Sequence, residues 1–153
     1  MSPIKNRNLP EVYIYTDGAC IGNPGPGGWA AILKSGNHYR EISGGEKYTT
    51  NNKMELTAII KGLEALKKRC NVKIYTDSKY IHDAINKKWI EKWIKSNWLN
   101  SAKKPVKNRE LWERLIELLN NHEVKIFWVK GHSGHIENER CDLLARQEAI
   151  KRK

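Results

Sequence analysis

Alternation of apolar and polar residues predicts five β-strands along the chain. The first strand runs from Val12 to Asp17, and the others are Trp29–Leu33, Tyr39–Ser43, Val72–Asp77 and Val124–Val129. Gly/Pro-rich or short turns separate the first three strands, and such turns usually join antiparallel neighbours. We therefore expect these three strands to form an antiparallel meander.

Five further segments carry apolar residues at the helical spacing of three or four positions. They are Asn52–Lys68, Lys79–Asn86, Lys87–Ser96, Arg109–Asn120 and Glu137–Ile150. Strands followed by helix–strand alternation are typical of an α/β fold in which helices cover the faces of a mixed sheet. No linker, low-complexity tract or repeat array interrupts the pattern, so we expect residues 1–153 to form a single domain.

Composition is that of a soluble globular protein. Hydrophobic residues make up 39% and charged residues 29% of the 153 positions, and no apolar run approaches the roughly 18–20 residues of a membrane span. The first residues lack the apolar stretch of a secretory signal. Cys20, Cys70 and Cys141 are odd in number and show no C-x-x-C pairing, which favours reduced thiols and a cytoplasmic location.

The charge of the chain indicates a polyanionic partner. Lys and Arg number 28 against 17 Asp and Glu, so the net charge is +11. Between Lys79 and Arg109 there are nine basic residues and only two acidic ones, Asp83 and Glu91, interleaved with three tryptophans. Nucleic acid or an anionic membrane surface would suit this balance. A basic surface that merely keeps the protein soluble is the alternative.

One four-residue sequence occurs twice, each time at the end of an apolar strand. It is Ile-Tyr-Thr-Asp, and its two copies end at Asp17 and Asp77. If the two strands are parallel neighbours about 4.8 Å apart, both carboxylates emerge at the same end of the sheet and can share a cation. The alternative is that each aspartate only forms a turn, since Asp-Gly and Asp-Ser are ordinary turn dipeptides.

Two other acidic residues are weaker candidates on spacing alone than the two strand-end aspartates, because each has a structural interpretation. Asn52 and Glu55 fit a helix capping box, in which the glutamate reaches back to the backbone of the capping residue. Asp142 precedes Arg146 by one helical turn and fits an exposed ion pair.

Six segments together carry a family resemblance. They are Tyr15–Cys20, Asn23–Gly28, Thr49–Leu56, Thr76–Ser78, Trp128–His135 and Glu137–Asp142. In this order, and spanning residues 11 to 150, they make the chain similar to bacterial type I ribonuclease H. The resemblance implies a ribonuclease H-like sheet of three antiparallel and two parallel strands, helices on both faces and a basic helical protrusion, which we call the handle.

The resemblance also implies an activity and its residues. The family's metal ligands match Asp17, Glu55, Asp77 and Asp142, and the histidine that handles protons matches His132. The implied reaction is hydrolysis of the RNA strand of an RNA–DNA hybrid by two metal ions, Mg²⁺ or Mn²⁺ as a substitute, leaving 5′-phosphate and 3′-hydroxyl ends. A monomer without an obligate protein partner is implied as well.

Elementary chemistry supports these residue types independently. A phosphodiester is already anionic, and a pair of hard cations can activate the attacking water and stabilise the leaving oxygen together. Carboxylate oxygens select Mg²⁺ or Mn²⁺ over metals that prefer thiolates. Zinc is the alternative for His132, because His135 and Cys141 stand nearby, but the spacing is unusual for a zinc site and a further ligand would have to come from distant sequence.

The resemblance assigns the substrate contacts to two regions. Residues that face the sugar edge of the hybrid match Cys20, Asn23, Asn51 and Asn52, and a pocket for a DNA phosphate matches Thr50 and Asn108. The handle residues expected to bind the duplex are Lys87, Lys88, Trp89, Lys92, Trp93 and Lys95. Lysines neutralise phosphates, and an exposed indole can lie against a sugar or base. Tryptophans four residues apart on a helix, such as Trp89 and Trp93, also often pack in a core, and we expect at least one of these two to be buried.

Two segments near the expected substrate contacts differ from familiar phosphate-binding patterns. Where relatives often carry an arginine two residues before the threonine of the phosphate pocket, this chain has Tyr48, so the pocket is either weaker or rebuilt. The loop Gly22–Gly28 lacks the Gly-Lys-Ser/Thr ending of a phosphate-binding loop. We interpret it as a connector whose glycines let the backbone lie close to nucleic acid.

Two other function classes remain open. One is a catalytically silent binding module with the same fold, against which the complete set of acids argues. The other is a recombinase or resolvase that cuts DNA, since similar sheets carry several phosphoryl-transfer activities. The segment Thr50–Asn52 and the handle favour the hybrid nuclease over the latter.

Overall fold

The strands of the protein form one sheet. A computed structural model describes residues 9–130 and 135–153. The strands are β1 (Glu11–Cys20), β2 (Gly25–Ser35), β3 (His38–Thr49), β4 (Asn71–Thr76) and β5 (Glu123–Trp128). Their spatial order is β3-β2-β1-β4-β5.

Helices fill the connections after β3. They are α1 (Asn51–Glu64), α2 (Lys79–Asn86), α3 (Trp89–Lys95), α4 (Arg109–Asn120) and α5 (Ile136–Lys151). The predicted elements are all present, with bounds that differ by a few residues.

The sheet is mixed, as the sequence predicts. β2 pairs antiparallel with both β1 and β3, whereas β4 pairs parallel with both β1 and β5. The parallel register aligns Ile14 with Ile74 and Tyr15 with Tyr75. The two copies of Ile-Tyr-Thr-Asp therefore lie side by side and point in the same direction.

Helices cover both faces of this sheet. On one face, Leu56, Ile59 and Leu63 of α1 join Ile14 and Ile74 in the larger apolar core. On the other face, Cys141 and Ala145 of α5 pack against Ala30 and Ile32 of β2. The three-layer α/β architecture expected from the apolar pattern is confirmed.

The glycine-rich segment is only partly a connector, which corrects the sequence interpretation. β2 begins at Gly25, so residues 25 to 28 belong to the strand. A Cβ atom on Gly28 would lie 2.7 Å from the Cβ of Glu148 and 2.8 Å from the Ala149 nitrogen. Because a side chain there would collide with α5, Gly28 serves the close packing of helix on sheet.

The handle begins where the backbone leaves a regular helix. Lys88 has a φ of 62°, in the left-handed region, which separates α2 from α3 and moves the helix start from the predicted Lys87 to Trp89.

Trp98 and Trp112 are buried, and Trp93 packs between them with ring centroids 6.1 and 5.2 Å away. Trp89 and Trp93, the pair four residues apart, are only half-buried, so the expectation that one of this pair is buried is wrong.

The three cysteines are unpaired, and Cys70 and Cys141 are buried. Within residues 9–130 and 135–153, no helix is both long enough and apolar enough to cross a bilayer.

Candidate active site

Three carboxylates converge at the carboxyl end of the parallel strands. Asp17 lies near the end of β1, Asp77 directly follows β4, and Glu55 lies in the second turn of α1. Each offers one oxygen, and these oxygens lie within 4.8 Å of one another. We call Asp17, Glu55 and Asp77 the carboxylate cluster.

Strand pairing accounts for the two aspartates. β1 and β4 are parallel and aligned at Tyr15 and Tyr75, two residues before Asp17 and Asp77. The structure thus places the aspartates side by side, as the repeated sequence predicts. The turn interpretation of Asp17 is wrong, because Asp17 and Gly18 both pair with β2 inside β1. Asp17 Oδ1 accepts the Gly18 N–H at 2.8 Å.

Gly18 accounts for the position of Glu55. A Cβ atom on Gly18 would lie 2.6 Å from the Glu55 nitrogen and 2.7 Å from the Met54 carbonyl carbon. Only a residue without a side chain lets the first turns of α1 approach β1 this closely. The close approach brings the glutamate beside Asp17.

The capping-box interpretation of Glu55 is wrong. Thr50 is the N-cap residue of α1, and its hydroxyl accepts the Lys53 N–H at 3.3 Å. Asn52 lies inside the helix, and Glu55 lies beyond the first turn with 5% of its surface exposed. A glutamate placed there does not cap the helix and lies in the carboxylate cluster instead.

Asp142 combines both interpretations offered by the sequence. It forms the ion pair with Arg146, at 2.9 Å, that the spacing predicts. It also lies close enough to Asp17 to raise the pKa of that carboxyl. α5 therefore adds a fourth acid at the border of the cluster.

The cluster is electrostatically strained without a cation. Burial, the charge of Asp77 and the contact with Asp142 raise the pKa of Asp17 from 3.8 to about 8, against the opposing effect of the Gly18 N–H. Burial followed by the charges of Asp17 and Asp77 raises the pKa of Glu55 well above its ordinary value. Buried acids that repel each other in this way are common at functional sites.

The cluster fits a hard divalent cation. In the part of the chain that the structure describes, Asp17 Oδ2 and Glu55 Oε1 are buried oxygens without a hydrogen-bond partner. Buried polar atoms normally have partners, and a cation would supply one for both. The donors are all carboxylate oxygens, which suit Mg²⁺ or Mn²⁺.

The zinc alternative loses one of its ligands. Cys141 is fully buried, its Sγ donates to the Tyr15 carbonyl at 3.2 Å, and burial raises the pKa of the thiol. A thiol that resists ionisation is a poor zinc ligand. His132 lies outside the described residues. His135 precedes α5, and its Nδ1 lies 3.2 Å from Asn138 Oδ1.

A polar cavity lies next to the N-terminus of α1. It has a volume of about 630 Å³, and its lining includes most of the predicted sugar and phosphate contacts: Asn23, Thr50, Asn51, Asn52 and Asn108. Asn23 is held in place because its Oδ1 accepts the Asn51 N–H at 2.8 Å. Cys20 is not part of this lining, and its Sγ contacts the Thr49 carbonyl at 3.3 Å.

Two lysine side chains that the sequence analysis did not assign to substrate binding also line this cavity. Lys53 and Lys107 line it, whereas Tyr48 is 74% exposed and is not among the lining residues. The position two residues before Thr50 therefore does not supply the positive charge here.

A larger groove runs along the handle. It has a volume of about 760 Å³ and is lined by Trp89, Lys92 and Trp93, together with Asn52 and Asn108 of the neighbouring cavity. The structure thus joins part of the predicted handle surface to the predicted phosphate pocket. The remaining handle lysines, Lys87, Lys88 and Lys95, are exposed and are not among its lining residues.

Asn138 is a structural residue of the site that the sequence analysis did not single out. It is 1% exposed, and its Nδ2 donates to the Tyr75 carbonyl at 3.2 Å. This bond ties the first turn of α5 to β4 two residues before Asp77. The only signal in the sequence is a polar residue at a position of α5 that faces the sheet.

The sequence matches the family described as RNase H over residues 10–150. A ribonuclease H of Nitratidesulfovibrio vulgaris strain Miyazaki F is 56% identical over 94% of this chain and 92% of its own length. A ribonuclease H of Bradyrhizobium diazoefficiens is 59% identical over 94% of this chain and 92% of its own length.

Solved structures agree with the sequence relatives. LC9-RNase H1, a type 1 RNase H with the type 2 active-site motif, superposes with a TM-score of 0.83 at 30% identity, over 95% of this chain and 74% of that one. RNase H1 of Halobacterium salinarum superposes with a TM-score of 0.69 at 26% identity, over 92% of this chain and 98% of that one. With the family match and these relatives, the resemblance seen in the sequence is confirmed, and the chain belongs to the ribonuclease H family of endoribonucleases.

Proposed function

We propose that this protein hydrolyses the RNA strand of RNA–DNA hybrids with Mg²⁺, for which Mn²⁺ can substitute. The observation that carries the proposal is the carboxylate cluster, in which oxygens of two buried acids and one half-buried acid lie within 4.8 Å of one another in a protein of net charge +11. A protein that only binds nucleic acid gains nothing from buried carboxylates that repel phosphate. Family membership supplies the reaction class.

The cation ligands are Asp17, Glu55 and Asp77, with Asp142 at the border of the cluster. When bound, a pair of divalent cations supplies an activated water and charge stabilisation of the leaving oxygen. The raised pKa values of Asp17 and Glu55 favour the protonated forms of these side chains in the absence of a cation. They release those protons on binding, so the affinity of the site for cations rises with pH.

Hydrolysis adds one water across a phosphodiester bond. The water oxygen bonds to phosphorus, the bond from phosphorus to the 3′ oxygen breaks, and the 3′ oxygen leaves as a hydroxyl after taking a proton. The phosphate stays on the 5′ side of the next nucleotide. We assign proton transfer in this step to His132.

His132→Ala tests that assignment. We expect turnover to fall by about 10²–10⁴-fold, the usual contribution of one acid–base group, without being abolished. Metal analysis of the purified protein is the control for the zinc alternative. Stoichiometric zinc that is lost in His132→Ala would overturn the assignment of proton transfer.

The polar cavity accounts for the distinction between the RNA strand and the DNA strand of the hybrid. Asn23, Asn51 and Asn52 present amide groups that can bond a ribose 2′-hydroxyl, which DNA lacks. Thr50 and Asn108 hold a DNA phosphate in the same cavity, and Cys20 contacts the sugar edge from the end of β1. The handle residues then bind the continuing duplex, with Trp89, Lys92 and Trp93 lining the groove.

Cleavage of matched duplexes tests the function. RNA–DNA, RNA–RNA and DNA–DNA duplexes of one sequence are incubated with Mg²⁺ or EDTA, with Asp77→Asn as the inactive control. We expect cleavage of the RNA strand of the hybrid alone, dependent on Mg²⁺ and lost in the variant. Binding without cleavage would indicate a silent binding module, and cleavage of the DNA duplex would indicate a resolvase-like enzyme.

We further propose that the protein acts as a cytoplasmic monomer. The three unpaired cysteines suit a reducing compartment. Sedimentation equilibrium checks the monomer, and a mass of twice 17.7 kDa would refute it.

A further inference from the structure

The chain is held by hydrogen bonds on both sides of Asp77 as it leaves β4. The Thr76 carbonyl accepts the Val129 N–H at 2.8 Å, and the Ser78 N–H donates to the Thr76 hydroxyl at 3.1 Å. Ser78 then caps α2, because its hydroxyl accepts the Ile81 N–H at 3.2 Å. Asp77 therefore lies in a short turn whose two neighbouring residues are anchored.

Trp128, the last residue of β5, makes a side-chain contact with this turn. Its indole N–H donates to the carbonyl of Asp77 at 3.2 Å. Trp128 pairs with Thr76 in the parallel ladder, so its side chain reaches one residue beyond the last paired position. The ring is 39% exposed, and core packing alone does not explain a tryptophan at this place.

The face of the same ring is held by α2. Lys79 Nζ lies 5.3 Å from the ring centre, within cation–π range, and 3.0 Å from Asp83 Oδ2. Asp83 is 8% exposed, which makes it a well-fixed partner for the lysine. Trp128 is thus connected to the turn between β4 and α2 through both its N–H group and its ring.

We propose that Trp128 is a positioning residue that holds Asp77 in the orientation needed to bind the cation of the carboxylate cluster. The inference rests on the proposed function, because it requires the cluster to bind a cation. Groups that orient metal ligands contribute to metal affinity, since a ligand fixed in advance loses less entropy on binding. Trp128 reaches the carboxylate cluster through the backbone carbonyl of Asp77, so it acts through that residue and is not itself a ligand.

The variant Trp128→Phe tests the proposal, because it removes the N–H donor and keeps an aromatic ring for Lys79. Phe127→Leu is the matched control: Phe127 is the adjacent residue of β5, is also 39% exposed, and stacks on Tyr75. The measurement is isothermal titration of each protein with Mn²⁺ in the absence of nucleic acid. We expect Trp128→Phe to weaken Mn²⁺ binding by about three- to tenfold, the effect of one hydrogen bond that acts through a ligand.

Kinetics on the hybrid add a readout that a purely structural role would not move. For Trp128→Phe, kcat should fall at low Mn²⁺ and recover at saturating Mn²⁺, while KM for the hybrid stays unchanged. Urea unfolding in EDTA checks that both variants fold. If Trp128→Phe does not fold, Trp128→Tyr, which also lacks the indole donor, takes its place with the same expected results.

Two results would overturn the inference: an unchanged Mn²⁺ affinity in Trp128→Phe, or an equal loss in Phe127→Leu. Failure of the proposed function gives a different result. In that case the unmodified protein shows no saturable Mn²⁺ binding, or binds Mn²⁺ and leaves the hybrid intact.

Discussion

Replacing Asp17 by asparagine should make the cation-free protein more stable while abolishing its activity. The carboxyl of Asp17 is 3% exposed, and its pKa is raised from 3.8 to about 8. Asparagine has nearly the same shape, and its side-chain oxygen can still accept the Gly18 N–H. The substitution therefore removes a charge without removing the local hydrogen bond.

The magnitude follows from the linkage between protonation and folding. The ordinary pKa of an aspartate, 3.8, lies about three units below pH 7, and each unit corresponds to roughly 1.4 kcal/mol. Keeping the Asp17 carboxyl buried therefore lowers the free energy of unfolding at pH 7 by about 4 kcal/mol. Asp77 and Glu55 share part of this cost and remain in the variant. We therefore expect the free energy of unfolding to rise by roughly 2–4 kcal/mol and Tm by about 5–15 °C for a chain of this size.

The sign of the pH dependence is fixed by the direction of the shift. Between pH 3.8 and about 8, the folded state binds a proton at Asp17 that the unfolded state has released. Stability of the unmodified protein is therefore lost as pH rises through this window, and the advantage of Asp17→Asn grows. Urea unfolding followed by circular dichroism, in EDTA at pH 5 and pH 8, measures both differences.

Two outcomes would refute this reasoning. A destabilised variant would assign Asp17 a structural role in β1. An advantage that does not change between pH 5 and pH 8 would mean that the charge of Asp17 is not buried. Mg²⁺ provides the control. It should stabilise the unmodified protein and have a smaller effect on the variant, because a ligand stabilises only the state that binds it.

Three further predictions address other parts of the molecule. Glu55→Gln should abolish cleavage and leave the circular dichroism melt in EDTA unchanged or raised. Thr50 rather than Glu55 caps α1, and glutamine removes a buried acid whose pKa is raised by burial and by its neighbours. Retained cleavage, or a lowered melt, would assign Glu55 to structure. The Nδ1 of His122 accepts the Cys70 N–H at 3.1 Å, and burial lowers the pKa of His122. The stability that neutral His122 contributes is therefore full above the ordinary pKa of 6.5. It is lost as pH falls through the lower pKa of the folded state. His122→Asn keeps an acceptor and should show a smaller loss of stability between pH 7 and pH 5 in urea unfolding, and an equal loss would contradict this. The third prediction replaces four handle lysines by alanine: Lys87, Lys88, Lys92 and Lys95. The slope of log K for hybrid binding against log salt should flatten by roughly 0.9 per phosphate contact, and KM should rise with little change in kcat. An unchanged slope would mean that the hybrid binds elsewhere.

Local patterns in the sequence were enough to predict the architecture. The alternation of apolar and polar residues from Val12 to Asp17 predicted a strand. The repeated Ile-Tyr-Thr-Asp segments predicted that this strand and β4 are parallel neighbours in register, and the structure confirms both predictions. The family resemblance was carried by motifs spread over the whole chain, which the family match over residues 10–150 confirms. These features are readable because strand and helix periods act over a few residues at a time.

The surroundings of those residues were decided by contacts between distant segments. Asn52 and Glu55 match a capping box in sequence, yet Thr50 caps the helix and the close approach at Gly18 brings Glu55 beside Asp17. Gly28, in a segment that resembles a loop, is needed because α5 packs directly on β2. No short-range pattern encodes which segments approach each other to within a side chain's width.

The same reason explains why the role inferred for Trp128 and the charges of the polar cavity came only from the structure. The indole of Trp128 meets a carbonyl 51 positions earlier in the chain. Lys107 joins Lys53 in one cavity although the handle separates them in sequence. The sequence by itself determined the elements and the acids, because these depend on local periodicity and residue type. Tertiary packing alone decided which side chains surround those acids, because the distances between them depend on how helices and strands that are remote in sequence pack together.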